Sequence, residues 1–174
     1  AQRIQSAVLP RKDYIETILP ESFILFRPRD IVSGDFYWIK QIGRYKVIIA
    51  ADCTGHGVPG AFMSMIGNDL LNEIVKDNCI TEPSEILNEM HRKVIKALRK
   101  NQDESNADDG MDMVICTFDT ETKDLLFSGA RNFMYVMNGS DPEMISGDFF
   151  SIGEKPYYEG IEVKFTSKKL QLEN

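Results

Sequence analysis

"IVSGDFYWIKQIGRYKVIIAADCTGHGVPGAFMSMIG", residues 31–67, holds two apolar runs, each bordered by a lone aspartate: Asp35 opens the first and Asp52 closes the second. Both runs are rich in aromatic and β-branched residues, and Gly43-Arg44 lies between them. That pattern predicts a hairpin, Asp35–Ile42 turning into Tyr45–Asp52. A hairpin brings the start of one strand beside the end of the next, so Asp35 and Asp52 are expected to be neighbours. Two bare carboxylates ~4 Å apart repel by about 4 kcal/mol at a surface-like dielectric. A proton, an arginine or lysine, or a metal ion offsets such a repulsion. Arg27 and Arg29 are near enough in sequence to serve. Hard cations such as Mg²⁺ and Mn²⁺ also fit, because they prefer carboxylate, carbonyl and water oxygens.

Asp52 runs into "CTGHGVPGA". Glycines after a strand-end carboxylate let backbone approach a ligand, and a following helix can turn free N–H groups toward an anion. The loop lacks the lysine and spacing of a nucleotide-binding P-loop. Read alone, Asp52 is a strand-end turn residue; its partner Asp35 turns the reading toward a metal. Only two histidines occur, His56 and His91, so no zinc cluster is indicated. His91 falls near the polar side of its helix and reads as surface.

Working outward, "AQRIQSAVLP" reads as the end of a helix stopped by Pro10, with Ile4 and Val8 one turn apart. It is either a simple N-terminal helix on the core or a linker from an upstream module. "SFILF" (Ser22–Phe26) reads as a strand. From Ala61 the spacing turns helical through Ile66, Leu70 and Ile74, with Gly67, Leu71 and Val75 beside them and Pro59 just ahead. "TEPSEILNEMHRKVIKALRK" predicts a second amphipathic helix with Thr81 as N-cap and Leu87, Met90, Val94 and Leu98 as its buried stripe. After the acidic loop Asn101–Gly110 come strand-like runs at Met111–Asp119, Asp124–Ala130, Phe133–Gly139 and Ile161–Ser167. The order predicts an α+β fold of mainly antiparallel sheets with helices on one face.

Composition narrows the function. Hydrophobic residues at 43% and charged ones at 27% describe a globular domain. A net charge of -7 argues against a nucleic-acid surface. Cys53, Cys79 and Cys116 are widely spaced and odd in number, which fits neither a disulfide framework nor zinc and points to a reducing cytosol. No run of ~18 apolar residues spans a bilayer, so no membrane contact is expected of this segment.

"RPRDIVSGDFYW" followed by "ADCTGHGVPGAFMSMIG" resembles the metal-dependent protein phosphatases of the protein phosphatase 2C superfamily, in the bacterial sigma-regulating branch named for stage II sporulation protein E. The resemblance continues through "DGMDMVICTFD" (Asp109–Asp119), "FSGARN" (Phe127–Asn132), where relatives usually read Gly-Ala-Asn-Asn, and "SIG" (Ser151–Gly153). It implies an α-β-β-α sandwich: two central sheets flanked by helices, with two divalent cations, Mn²⁺ or Mg²⁺, between the sheets. By motif, Asp52 bridges both cations, Cys53 lends only its backbone carbonyl, and Asp35 binds one cation. Asp35 and Asp52 thereby become the catalytic residues, because the metals activate a water that attacks phosphorus in line. Gly55, His56, Gly57 and Asn132 fall at substrate or loop positions. His56 lies four residues after Asp52, where eukaryotic relatives place their histidine two residues on, so ordering the glycine loop is its preferred role. Asp112 either holds an outer-sphere water or an extra metal, or pairs with a backbone N–H.

The resemblance further implies a cytoplasmic phosphoserine/phosphothreonine protein phosphatase, or the cytoplasmic part of a larger membrane-bound sensor. Its substrate would be a phosphorylated anti-sigma-factor antagonist. Residues 1–20 would be a linker helix from a sensor domain in cis, and residues 21–174 the phosphatase domain, with homodimerisation open. Relatives continue past "IEVKFTS" to a Ser-Asp-Gly and then an Asp-Asp pair, and no Ser-Asp-Gly occurs in these 174 residues. The expectation is therefore weak binding of one cation and slow or absent hydrolysis. The alternative is an inactive interaction domain of the same fold that binds its partner without turnover.

Overall fold

The computed structural model describes residues 2–99, 109–155 and 160–170. Two short helices open it, α1 (Gln2–Val8) and α2 (Lys12–Ile18), where one was expected. Pro10 separates them, as its missing N–H and fixed φ dictate. Ile15 and Ile18 sit one turn apart on α2 and bury against Ile39. In α1 the anticipated apolar pair does not carry the packing: Ile4 is exposed and Val8 half-buried, while Gln5 is the buried residue.

Ser22–Phe26 is not a strand. The segment is irregular and exposed, with Phe23 91% accessible. Its β-forming composition was read correctly, but a strand exists only through ladder bonds to a neighbour. Among the described residues β1 (Phe36–Ile42) pairs only with β2 (Tyr45–Cys53). Those two form the expected hairpin, Ile42 opposite Tyr45 across a two-residue turn.

The next helix, α3 (Gly57–Leu71), starts earlier than its apolar spacing suggested, so Pro59 lies inside its first turn. First-turn N–H groups have no intrahelical acceptor, so the proline costs no hydrogen bond there. A π-helical stretch, Asn72–Asp77, extends α3. In α4 (Pro83–Arg99), Leu87, Met90 and Val94 are fully buried as anticipated, with Leu98 partly so. The cap is Glu82 rather than Thr81: its Oε2 accepts from Glu85 N at 2.8 Å and Ser84 Oγ at 2.7 Å. A carboxylate also suits the positive end of the helix dipole. The Thr81 carbonyl instead accepts from Thr117 Oγ1.

Strands β3 (Met111–Asp119), β4 (Leu125–Ala130) and β5 (Phe133–Asn138) lie where expected. An unexpected β6 (Asp141–Ser146) contains Pro142, tolerated because a two-stranded sheet has only edges. The last strand, β7 (Lys168–Leu170), lies beyond the anticipated Ile161–Ser167. That stretch is held by its side chains and loops instead: Phe165 is buried, and Thr166 N donates to Asp148 Oδ2 at 2.7 Å. In the acidic loop, residues 101–108 lie outside the described residues.

The result is the α+β architecture anticipated, with a five-stranded sheet of order β1-β2-β3-β4-β7 and a two-stranded sheet β5-β6, every ladder antiparallel. One face of the larger sheet, including Trp38, Ile49, Cys53 and Ile115, packs with Leu71, Ile74, Leu87 and Met90 of the helical layer. The two-residue period of a strand places Asp35, Asp52, Asp112 and Cys116 on the other face. The β5-β6 hairpin meets that face, with Cys116 Sγ 3.4 Å from Met134 Sδ.

All three cysteines are free, and only Cys79 is exposed. Burial, with the charges of Asp52 and Asp35, pushes the Cys53 thiol up to about 12; burial alone pushes Cys116 to about 11. The thiolate is the reactive form. At pH 8 one thiol per chain is expected to react quickly with a disulfide reagent, and three after denaturation. Two or three fast thiols in the native protein would contradict this packing.

Candidate functional site

Register builds the site. Phe36 lies opposite Ala51 in the β1–β2 ladder, and Asp52 opposite Asp112 in the β2–β3 ladder. Asp35, one residue before Phe36, therefore begins a row with Asp52 and Asp112 across the ends of three adjacent strands. The Asp35 and Asp52 carboxyls are within hydrogen-bonding reach. Asp52 is held above its ordinary 3.8, first by burial, then by that bond and by the like charge of Asp35. No cation is among these influences. Arg27 lines a cleft of about 480 Å³ together with Asp35, Asp52 and Asn132. Among the described residues neither Arg27 nor Arg29 forms an ion pair with either carboxylate.

Asp112 is engaged elsewhere, its Oδ1 accepting from Ser151 Oγ. This partner is a side-chain hydroxyl, not the backbone N–H considered for it. Among the described residues no three His, Cys, Asp or Glu side chains gather closely enough to hold a metal ion. Asp35 and Asp52 alone converge. Two oxygen donors open to water fit a single hard cation that completes its shell with water.

Backbone packing sets Asp35 in place. A Cβ on Gly34 would stand 2.9 Å from Gly55 O and 3.0 Å from Cys53 O, and one on Gly60 would stand 2.6 Å from Gly55 O. Glycines at 34 and 60 thus let the segment before Asp35 lie directly on the loop after Asp52. Cys53 sends its thiol into the core and sets its carbonyl oxygen beside Gly34. Gly55 and Gly57 adopt φ +87° and +61°, which side chains resist. His56, at the N-cap of α3, places Nδ1 3.2 Å from Asp30 Oδ2 and lines neither cleft at Asp52. Asn132 Oδ1 accepts from Phe133 N at 2.8 Å at the edge of the cleft it shares with the two carboxylates.

Sequence reasoning missed Gln5. Its Nε2 donates to Ser33 O at 2.5 Å and Ser64 Oγ at 3.0 Å, and its Oε1 accepts from Ser33 N at 3.0 Å. Ser33 Oγ in turn accepts from Asp35 N at 3.0 Å. A glutamine between Ile4 and Val8 gave no signal, because periodicity counts only apolar residues. His91 is also corrected. It is no bare surface residue: its Nδ1 accepts from Gly153 N at 3.1 Å, and its ring meets Phe165 edge-on at 6.0 Å. It latches the Ser151–Gly153 loop.

A second cleft, about 380 Å³, also reaches Asp52, and Thr54, Asp112, Arg131, Ser151 and Lys155 are among the residues that line it. Arg131 was likewise passed over, although it replaces an asparagine usual in the resemblance.

Comparison with known proteins bears on the family and the fold. The model of the family "Stage II sporulation protein E (SpoIIE)" matches residues 43–167. The chain belongs to the SpoIIE family. The solved SiaA-PP2C domain of Pseudomonas aeruginosa superposes with a TM-score of 0.82 at 29% identity, covering 99% of this chain and 64% of that one. This chain therefore spans just under two thirds of that relative's length. The PP2C phosphatase domain of SpoIIE from Bacillus subtilis, solved with a fragment of its regulatory domain, gives 0.62 at 19% identity over 82% of this chain and 38% of that one. RsbX in complex with magnesium gives 0.56 at 14% identity over 82% of this chain and 62% of that one. These last two show the fold. No curated protein matches the chain.

The carboxylate pair carries a stability consequence. A carboxyl whose pKa rises on folding binds its proton more tightly in the folded state. Its cost is therefore absent below the ordinary value of 3.8 and fully present once pH exceeds the raised value. At neutral pH without divalent cations, Asp35→Asn is expected to stabilise the protein by about 1 kcal/mol after solvent screening, roughly 2–4 °C in melting temperature. Mn²⁺ should then raise the melting temperature of the wild type more than that of the variant. Destabilisation by Asp35→Asn, or equal Mn²⁺ stabilisation of both, would contradict the pairing.

Proposed function

We propose that this SpoIIE-family domain is a Mn²⁺- or Mg²⁺-dependent phosphoserine/phosphothreonine protein phosphatase of bacterial signalling, acting on a phosphorylated anti-sigma-factor antagonist. The observation that carries the reading is the Asp35–Asp52 pair, two carboxylates in contact with no cationic side chain between them. The magnesium in the RsbX structure supports the choice of a hard cation. Asp35 and Asp52 would hold it, with the Cys53 carbonyl alongside. Such a cation supplies Lewis acidity, polarising a phosphoryl oxygen and lowering the pKa of water. Asp112, held by Ser151, would order water at the edge of the cleft and lies directly opposite Asp52 in the ladder, where it would serve a second cation. Gly55, His56 and Gly57 shape the loop that positions the pair, and Asn132 lines the substrate side.

Regulation enters through α1. Gln5 ties α1 to Ser33, and Ser33 ties to Asp35, so an upstream sensor module in cis would reach the cation site by displacing one helix. A second copy of the chain would meet exposed Ile4, Val58 and Phe62 along α1 and α3. Three free cysteines suit a cytoplasmic setting. No helix of the described residues is long and apolar enough to cross a membrane.

A second reading, a weakly active or inactive partner-binding domain, has its own support. Only two acidic side chains converge among the described residues, whereas the family resemblance implies two cations and further acidic ligands.

Phosphate release from a phosphoserine protein in Mn²⁺ separates these readings. Any turnover by this chain is expected to be slow, and to fall by more than about 100-fold in Asp52→Asn, since direct ligands exceed the 10–100-fold typical of outer-shell groups. Gln5→Ala should lower turnover several-fold at sub-saturating Mn²⁺ and recover at high Mn²⁺. Binding of the phosphoprotein without release would favour the interaction domain.

A further inference from the structure

Charge bookkeeping leaves the carboxylate pair short of a complete phosphoester site. Asp35 and Asp52 carry two negative charges, which one divalent cation only cancels. A phosphomonoester carries about −1.5 to −2 near neutral pH. It gains little from a locally neutral, singly occupied centre, and Asp112, which lines the same cleft, adds further negative charge. Positive charge from the protein would complement such a centre.

Arg131 and Lys155 line the same cleft as Asp52. Arg131 stands in the turn between β4 and β5 at φ +47°, a conformation that glycine and asparagine adopt more readily than arginine. The turn is pinned: Arg131 N donates to Asp148 O at 2.9 Å, Gly147 N donates to Asn132 O at 2.9 Å, and a Cβ on Gly147 would collide with Gly129. The guanidinium is fixed as well. Nε donates to Phe149 O at 3.3 Å, Nη2 donates to Glu154 Oε2 at 2.5 Å, and the group lies 5.9 Å from the centre of the Phe149 ring. Glu154, 17% exposed, is held in turn by Ser151 N at 2.9 Å. Nη1 has no protein partner among the described residues. Lys155, which lines the same cleft, forms no ion pair among them. A guanidinium fixed along one edge and free along the other is preorganised for two oxygens of a phosphoryl group.

We infer that Arg131 orients the phosphoryl group: its free edge receives non-bridging oxygens of the phosphoserine or phosphothreonine ester in the cleft it shares with Asp52, with Lys155 adding long-range attraction. The inference rests on the phosphatase reading above. Arg131 is a substrate-positioning residue that binds the dianion and gives or takes no proton.

A purely structural arginine would exist to hold Glu154 and its loop. The two roles separate because Arg131→Ala and Glu154→Gln both weaken the Arg131–Glu154 ion pair but move the free positive charge in opposite directions. The probe is inorganic phosphate, titrated calorimetrically into the 174-residue chain at saturating Mg²⁺, with Mg²⁺ binding measured in parallel. Arg131→Ala is expected to weaken phosphate at least about tenfold, the scale of a lost charge-assisted hydrogen bond. Arg131→Lys should recover part of the loss. Glu154→Gln should bind phosphate as tightly as wild type or tighter, with Mg²⁺ affinity unchanged in all three. If Arg131→Ala leaves phosphate affinity intact, or if Glu154→Gln weakens it as much as Arg131→Ala does, the inference is overturned while the metal site stands. If wild type binds no Mg²⁺, the phosphatase reading fails and takes this inference with it. Should Arg131→Ala not fold, as judged by its melting curve, Arg131→Lys and Glu154→Gln still decide by their opposite signs.

Discussion

Antiparallel register places Asp35 next to Asp52, and no side chain in the described structure relieves their mutual repulsion. Much of the site's surroundings follows from holding that juxtaposition. Like charges brought together at a strand end would normally splay, and the fold prevents this by anchoring both backbones. Asp52 is fixed from within, because Ala51 and Cys53 on either side of it are buried in the helical core. Asp35 is fixed from without, by Gly34 seated on the Gly55 loop and by Ser33 held to Gln5. The repulsion therefore persists in the folded state as a binding potential for a cation. Pairs of this kind cost stability in the apo protein and return it on ligation.

The anchors also define how the site communicates. One line of hydrogen bonds runs from α1 through Gln5 and Ser33 to the backbone of Asp35. Another runs from Arg131 through Glu154 to Ser151, whose hydroxyl meets Asp112. His91 on α4 fastens the same loop at Gly153. The first line reaches the carboxylate that would hold the cation. The second reaches the wall that would face the phosphoryl group. Metal occupancy and substrate orientation would thus be governed from different parts of the fold.

The hairpin, the two amphipathic helices and β3 were legible in the sequence because their apolar periods are long and unbroken. So was the proximity of Asp35 and Asp52, a matter of hairpin geometry alone. Ser22–Phe26 was misread because composition reports the preference for a pleated environment and not whether a partner strand is present. Strand β6 was hidden by Pro142, and β7 was displaced because the burial of Phe165 in a non-strand segment imitates alternation. Gln5, His91 and Arg131 escaped for a common reason. Each acts through polar contacts to residues 18 to 62 positions away, and local pattern carries no trace of such partners. The resemblance to known phosphatases pointed at Asp35 and Asp52 and left Arg131 unmarked, since arginine there departs from the usual pattern.

The most direct measurement of the central claim is a calorimetric titration of Mn²⁺ into wild type, Asp52→Ala and Asp35→Ala. The expected result is binding of at least one Mn²⁺ to the wild type, its loss in Asp52→Ala, and a weaker isotherm in Asp35→Ala. An unchanged Mn²⁺ affinity in Asp52→Ala would show that the cation, if the protein binds one, is held elsewhere, and would contradict the site built on this carboxylate pair.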